Sequence, residues 1–202
     1  MVQILKEELK ESILISARQE FIRHGFLNAS MRTISKNSKC ALGNIYNYFE
    51  NKDAIFKEVV SPALNILDEI KTGLDTNKEL NYLKLDKSEA YFEQIVDFLD
   101  EHRENLKLIA FNSYGSKLQN YTDEWIEHYS RYEYAYLRKK AKEHKDIFKN
   151  IPSKFFIRNL SGFFFKTALE LVNQDLPKDK LASGIEEIFG FVYQGWGYYA
   201  EF

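Results

Sequence analysis

Apolar residues recur along most of this chain at steps of three and four, the period of a helix with one buried face. Leu9, Ile13, Leu14, Ala17 and Phe21 line one such face and predict a first helix ending at Gly25, just after His24. Ser30 is placed to cap a short second helix over Met31–Asn37, because its hydroxyl can accept a hydrogen bond from a free backbone N–H. A turn at Ser38-Lys39-Cys40 then leads to a third helix over Ala41–Phe49. Asn51 caps a longer fourth helix whose stripe is Phe56, Val59, Val60, Ala63, Leu67 and Ile70. Pro62 inside that stripe predicts a bend, and Gly73 predicts the end.

Residues Leu74–Lys87 lose the period and are polar, which reads as a connection before Ser88 opens a fifth helix with Tyr91, Phe92, Ile95, Val96 and Leu99 on one face. A shorter stripe, Leu106, Ile109 and Ala110, ends near Gly115. The seventh helix spans Thr122–His144, with Asp123 and Glu124 at its start and Lys139, Lys140 and Lys142 near its end, each sign where the helix dipole favours it. Pro152 and Pro177 introduce the last two, Ser153–Val172 and Lys178–Tyr199. Nine helices and no strand give an all-α fold. No repeat or Pro/Gly/Ser-rich linker marks a border, so the fourth helix itself is the expected link between an N-terminal unit and a larger helical domain.

Composition narrows the function. Nine Gly and three Pro in 202 residues are too few for a turn-rich β fold. The single cysteine, Cys40, excludes an intrachain disulfide and a thiolate zinc site and reads as filler in the turn. Acidic residues among the first twenty are wrong for a signal peptide, and no apolar run approaches the roughly 20 residues needed to cross a bilayer. A cytoplasmic protein is expected, so the sequons at Asn28, Asn120 and Asn159 carry no meaning. The net charge of -2 is unevenly spread: residues 1–49 hold seven Lys/Arg against four Asp/Glu, leaving 21 against 26. A mildly basic N-terminal unit can approach phosphates while the acidic remainder limits non-specific adhesion.

Three helices with a tight turn between the second and third make a helix-turn-helix unit, in which the later helix enters the major groove. The residues sharpen this geometry. Phe26-x-x-x-Ser30-x-Arg32-x-Ile34 precedes the turn, and Gly43-Asn44-Ile45-Tyr46-Asn47-Tyr48-Phe49-Glu50-Asn51-Lys52 follows it. Over residues 9–60 the chain resembles the TetR family of transcriptional regulators, through Gly25-Phe26, the Tyr-x-Tyr-Phe-x-Asn-Lys run and the apolar start of the fourth helix. The rest resembles the family only in helix count, length and aromatic content.

The resemblance implies a DNA-binding domain over 1–52 and a ligand-binding and dimerisation domain over 53–202. It also implies roles for Ser30, Tyr46 and Lys52 as phosphate binders, with Lys52 acting beside the free N–H groups of the fourth helix. Ser30 serves equally well as a helix cap. Arg32 reaches a base edge or the backbone, and Leu42, Gly43, Asn44 and Asn47 present the exposed side of the reading helix. Asn suits adenine, Leu a thymine methyl, and Gly43 permits close approach. Tyr48 is a further phosphate candidate, whereas Ile45 and Phe49 should be buried pins. Lys39 stands where many family members have Gly, a position that often needs positive φ, which costs a non-glycine residue about 1 kcal/mol.

In the second part, Trp125, Tyr129, Tyr132 and Tyr136 share one face of the seventh helix, preceded by Phe111 and Tyr114. Most such rings are core, but several hydroxyl-bearing rings on one stripe need polar partners, which a ligand cavity would supply. Trp125, Tyr129 and Tyr132 are the preferred lining, with Phe111 and Tyr114 beside them and Phe163 closing the cavity. Phe155, Phe156, Leu160, Phe164, Ile185, Ile188, Phe189, Val192 and Trp196 exceed what a monomer needs and read as a dimer interface, approached closely through Gly162, Gly184 and Gly195. The family pattern is a four-helix bundle shared by two subunits, and a two-fold dimer reads a near-palindrome.

No HExxH, GxSxG, Walker loop or GxGxxG is present, and His24, His102, His128 and His144 lack metal-ligand spacing, so neither enzyme nor cofactor nor metal is expected. His128, beside the aromatic stripe, is the one histidine suited to a ligand contact. The expectation is a homodimeric regulator, most readily a repressor, released from operator DNA by a largely apolar effector. An activator is compatible with the same residues, and a helical ligand-binding or scaffold protein without operator recognition is the rival reading.

Overall fold

A computed structural model of the chain describes residues 2–75, 89–143, 150–196 and 199. His144, the side chains of Tyr91 and Trp196, and most of the connection expected over Leu74–Lys87 lie outside the described residues. Among the described residues there are nine helices and no strand: α1 Val2–Asn28, α2 Met31–Asn37, α3 Leu42–Ile45, α4 Lys52–Asp75, α5 Glu89–Glu101, α6 Arg103–Phe111, α7 Tyr121–Glu143, α8 Lys154–Asn173 and α9 Lys178–Trp196. Sequence periodicity thus places every helix, and the differences lie at ends. The third helix is a single turn, Leu42–Ile45, continued by turn bonds such as Tyr48 N to Ile45 O (2.9 Å). Helix α6 stops at Phe111, four residues before Gly115.

The chain divides into two compact units, one of Met1–Asn65 with Glu104–Tyr121 and the other of Ile66–Arg103 with Thr122–Phe202. The first division falls inside α4, three residues past Pro62. Proline has no N–H for the carbonyl of Glu58, four residues earlier. The Ser61 hydroxyl donates to that oxygen instead (2.8 Å), and Arg18 donates to the next carbonyl, Val59 O (3.0 Å). The helix therefore continues through Pro62 with these carbonyls satisfied by side chains.

In the first unit Gly25 (φ 68, ψ 167) interrupts α1, a backbone conformation open to glycine alone. The chain turns there, so that Phe26 comes back against α1 and α4. Phe21, Phe26 and Phe56 meet with ring centroids 5.0–5.9 Å apart, and Ile13, Ala17, Ile34, Ile45 and Ile55 are fully buried around them. Each buried Phe or Ile contributes about 1.5–3 kcal/mol, which is what holds the short helices α2 and α3 in one orientation on α1.

In the second unit a series of rings runs through the helices. Phe92 of α5 meets Phe189 of α9 (6.2 Å), Phe189 meets Phe164 of α8 (4.9 Å), and Phe164 adjoins Phe165 (5.4 Å). Phe165 stands edge-on to Trp125 (4.5 Å) and Tyr129 (5.1 Å) of α7. Gly184 permits close packing of α9 on α8 within the chain, since a Cβ there would lie 2.8 Å from Leu171 Cδ1.

Candidate nucleic-acid interface

The local sequence builds the α2–turn–α3 unit. Ser30 is the N-cap of α2, accepting from Thr33 N (3.3 Å), and its own N–H donates to the buried Glu20 carboxylate (2.9 Å). The turn is closed by Ser35, whose hydroxyl donates to Cys40 O (2.6 Å), and is tied to α1 by Ser12 donating to Ser38 O (3.2 Å). Lys39 takes φ 54 in that turn, the left-handed conformation that the departure from glycine foreshadows. Cys40 is 3% exposed, and burial pushes its thiol pKa up, so it is an inert filler.

Ile45 and Phe49, 0% and 5% exposed, anchor the reading segment against the core. That anchoring fixes which groups face outward. Gly43, Asn44, Tyr46 and Asn47 are exposed, Leu42 and Tyr48 half-buried, and Tyr46 keeps 50% of its surface free. Arg32 is exposed on α2. A Cβ on Gly43 would meet nothing within 4 Å, so the backbone there stands open to an approaching surface. Two amides and a phenol on one short segment, with the Arg32 guanidinium on α2, can donate to phosphate oxygens and pair with base edges.

Lys52 is differently placed from the free phosphate ligand expected. Asn51 caps α4, its Oδ1 accepting from Ala54 N (2.9 Å), and the Lys52 side chain turns back onto the exit of α1. Its ammonium donates to Phe26 O (2.7 Å), Leu27 O (3.2 Å) and Ala29 O (3.2 Å) and lies 4.5 Å from the Phe26 ring centroid. Burial lowers its pKa, an effect opposed by the neighbouring Asp53 carboxylate. Nothing in the residue pattern announced this: the same Lys fits a phosphate ligand and a carbonyl clamp.

The residues expected to line an effector cavity are drawn from both compact units. Trp125, Tyr129 and Tyr132 lie on α7 in the second unit, where Trp125 stacks on Tyr129 (5.5 Å) and donates through Nε1 to Leu67 O (3.3 Å). Phe111 and Tyr114 belong to the first unit and are 41% and 73% exposed there. Phe163 points outward beside Phe191 (5.9 Å). Sequence reasoning passed over Glu133, whose carboxylate accepts from Ser161 of α8 (2.9 Å) and is pushed by burial to about 7. The signal was present: Ile126, Ser130, Glu133 and Leu137 form one helical stripe, so Glu133 falls on the inner face. His128 is half-buried.

The expected interface also divides. Ile185 and Ile188 are covered by their own chain, which makes them core rather than outer face, and Phe164 and Phe189 join the internal ring series. Leu160 and Val192 pack against the buried Leu137 and Ile157. Among the described residues, the large exposed apolar side chains of α8 and α9 are Phe155, Phe156, Phe163 and Phe191. Among the described residues no group of three His, Cys, Asp or Glu could hold a metal, and no helix is long and apolar enough to cross a membrane.

Residues 13–59, the span of this helix-turn-helix unit, match the sequence model of the bacterial regulatory proteins of the tetR family. The HTH-type transcriptional repressor SCO4008 of Streptomyces coelicolor is 28% identical over 127 residues, covering 62% of this chain and 61% of that protein's length. Among solved structures, NalD of Pseudomonas aeruginosa, the secondary repressor of the MexAB-OprM multidrug efflux pump, aligns over 91% of this chain and 95% of its own (TM-score 0.58, 16% identity). The transcriptional regulator FadR of Bacillus subtilis, solved with stearoyl-CoA, aligns over 89% and 96% (TM-score 0.55, 16% identity). At such identities the structures establish the fold: an N-terminal helix-turn-helix unit followed by a helical domain. Residues 13–59 thus carry a tetR-type helix-turn-helix sequence, and the chain as a whole shares the fold of these regulators.

Proposed function

We infer that the protein is a DNA-binding transcriptional repressor that acts as a homodimer on a near-palindromic operator and is released by a small, largely apolar effector. The observation that carries the reading is the segment Gly43–Asn47, whose amides and phenol face outward because Ile45 and Phe49 are buried beneath them. Residues 1–52 act as the DNA-binding domain and 53–202 as the ligand-binding and dimerisation domain. Asn44, Asn47 and Leu42 read bases, Gly43 admits the backbone closely, and Ser30, Arg32, Tyr46 and Tyr48 hold phosphates.

The exposed rings Phe155, Phe156, Phe163 and Phe191, of which Phe163 and Phe191 lie together, support self-association through α8 and α9, since exposed apolar side chains in number favour a partner. The aromatic residues of α7 support an effector with apolar bulk, and the stearoyl-CoA bound by a protein of the same fold makes an acyl chain the first class to try. An effector that favours one arrangement of α4 releases DNA by moving the two reading segments out of register with their half-sites. No enzymatic step is part of this function. Selection from a random duplex pool tests the reading: enriched sequences should carry two inverted half-sites about one helical turn apart or somewhat more. Enrichment of a single unrepeated site would contradict the dimer, and no enrichment would contradict the regulator.

A further inference from the structure

We propose that Lys52 is a positioning residue of the reading unit, a clamp on the exit of α1, and not a phosphate ligand. This rests on the DNA-binding reading above. An ammonium has three N–H groups, and here three carbonyls, Phe26 O, Leu27 O and Ala29 O, converge on the one nitrogen at 2.7–3.2 Å. No donor is left for a phosphate.

The three carbonyls follow the break at Gly25, in the short stretch that carries the chain from α1 into α2. The charge is further held by the Phe26 ring face at 4.5 Å. Lys52 is the first residue of α4, so its side chain fastens the entry of α4 to the segment that leads directly into α2. Neighbouring bonds frame the same junction: Phe26 N donates to Asn112 O (2.7 Å), Lys117 N donates to Asp53 Oδ1 (2.7 Å), and Ser30 N donates to Glu20 (2.9 Å). The orientation of α2, and through the turn that of Asn44 and Asn47, depends on this lock.

Lys52→Met and Lys52→Arg separate the two roles. Arg keeps the charge and binds phosphate at least as well, but its N–H groups lie in one plane and cannot meet three carbonyls aimed at a single point. Fluorescence anisotropy is read on a duplex that the parent protein selects from a random pool and on an unrelated duplex, at several salt concentrations. Hydrogen exchange of the Phe26 and Ala29 amides is followed in the DNA-free proteins, and circular dichroism confirms that each variant is folded.

The clamp predicts that both variants lose at least tenfold in affinity for the selected duplex, keep their affinity for the unrelated one, and exchange both amides at least tenfold faster. Restoration by Arg, or an equal loss on both duplexes with a salt slope lower by about 0.9, would assign Lys52 to a phosphate and overturn the proposal. Unchanged discrimination with faster exchange would also overturn it, leaving a stabilising role alone. Should Lys52→Met fail to fold, Lys52→Arg carries the same comparison. A parent protein that selects no duplex refutes the DNA-binding reading itself, and the exchange data then still report the lock separately.

Discussion

Replacing Lys39 by glycine should stabilise the protein without changing what it reads. Lys39 sits between α2 and α3 at φ 54, where the Cβ of an L-residue crowds the following carbonyl at a cost of about 1–2 kcal/mol. Glycine escapes that cost but enlarges the unfolded ensemble, which takes back about 0.4–1 kcal/mol. The balance is a gain of about 1 kcal/mol, and for a chain of this length that raises Tm by about 2–4 °C. Lys39→Ala is the control, because it removes the long side chain and keeps the Cβ. Thermal unfolding followed by circular dichroism should place Lys39→Gly above both Lys39→Ala and the parent. Operator affinity should change by less than twofold, apart from a small reduction shared with Lys39→Ala through lost charge. A Tm for the glycine variant equal to or below that of the alanine variant would refute the strain assigned to this turn.

Three further outcomes follow from named positions. Glu133 is raised by burial from its ordinary 4.5 to about 7, so the folded state holds its proton more tightly. Its stability contribution is undiminished below about pH 4.5, declines as pH rises, and levels off above about pH 7, by at most about 3 kcal/mol. The Tm of Glu133→Gln should therefore gain on the parent's between pH 4.5 and 8, and a pH-independent difference would contradict the burial. Gly190 has open space around its Cβ position whereas a Cβ on Gly184 would lie 2.8 and 3.0 Å from the Leu171 methyls. Gly190→Ala should stabilise by about 0.5–1 kcal/mol in urea unfolding and Gly184→Ala should fall below it by about 1–3 kcal/mol. Phe155→Ser with Phe191→Ser should shift a dimer to monomer in sedimentation velocity at micromolar concentration and remove the concentration dependence of Tm, with the helical circular dichroism kept, since 78% and 68% of these residues are exposed in the single chain.

The helices were legible because burial of one face imposes the period of three and four wherever a helix packs on one side. The Ser30 cap, the Gly25 break, the Lys39 conformation and the buried pins Ile45 and Phe49 could all be read locally, since each depends on backbone geometry within a few residues. What was not legible depends on which neighbour covers a face. Ile185 and Phe155 look alike in the apolar pattern, yet one is fully covered and the other 78% exposed. The packing of residues 104–121 with the first unit joins positions far apart in sequence, such as Asn112 with Phe26, and no periodicity announces it. Lys52 shows the same limit in one residue, because its partners lie 23–26 positions earlier.

The central claim, that residues 42–48 read an operator, is tested most directly by fluorescence anisotropy on DNA from upstream of the protein's own coding sequence, or on pool-selected DNA if that is not bound. Unrelated DNA of equal length and an Asn44→Ala, Tyr46→Ala variant complete the comparison. Tight, salt-sensitive binding to the specific duplex, reduced at least tenfold in the variant, is the predicted result. Equal weak binding of parent and variant to every duplex would contradict it.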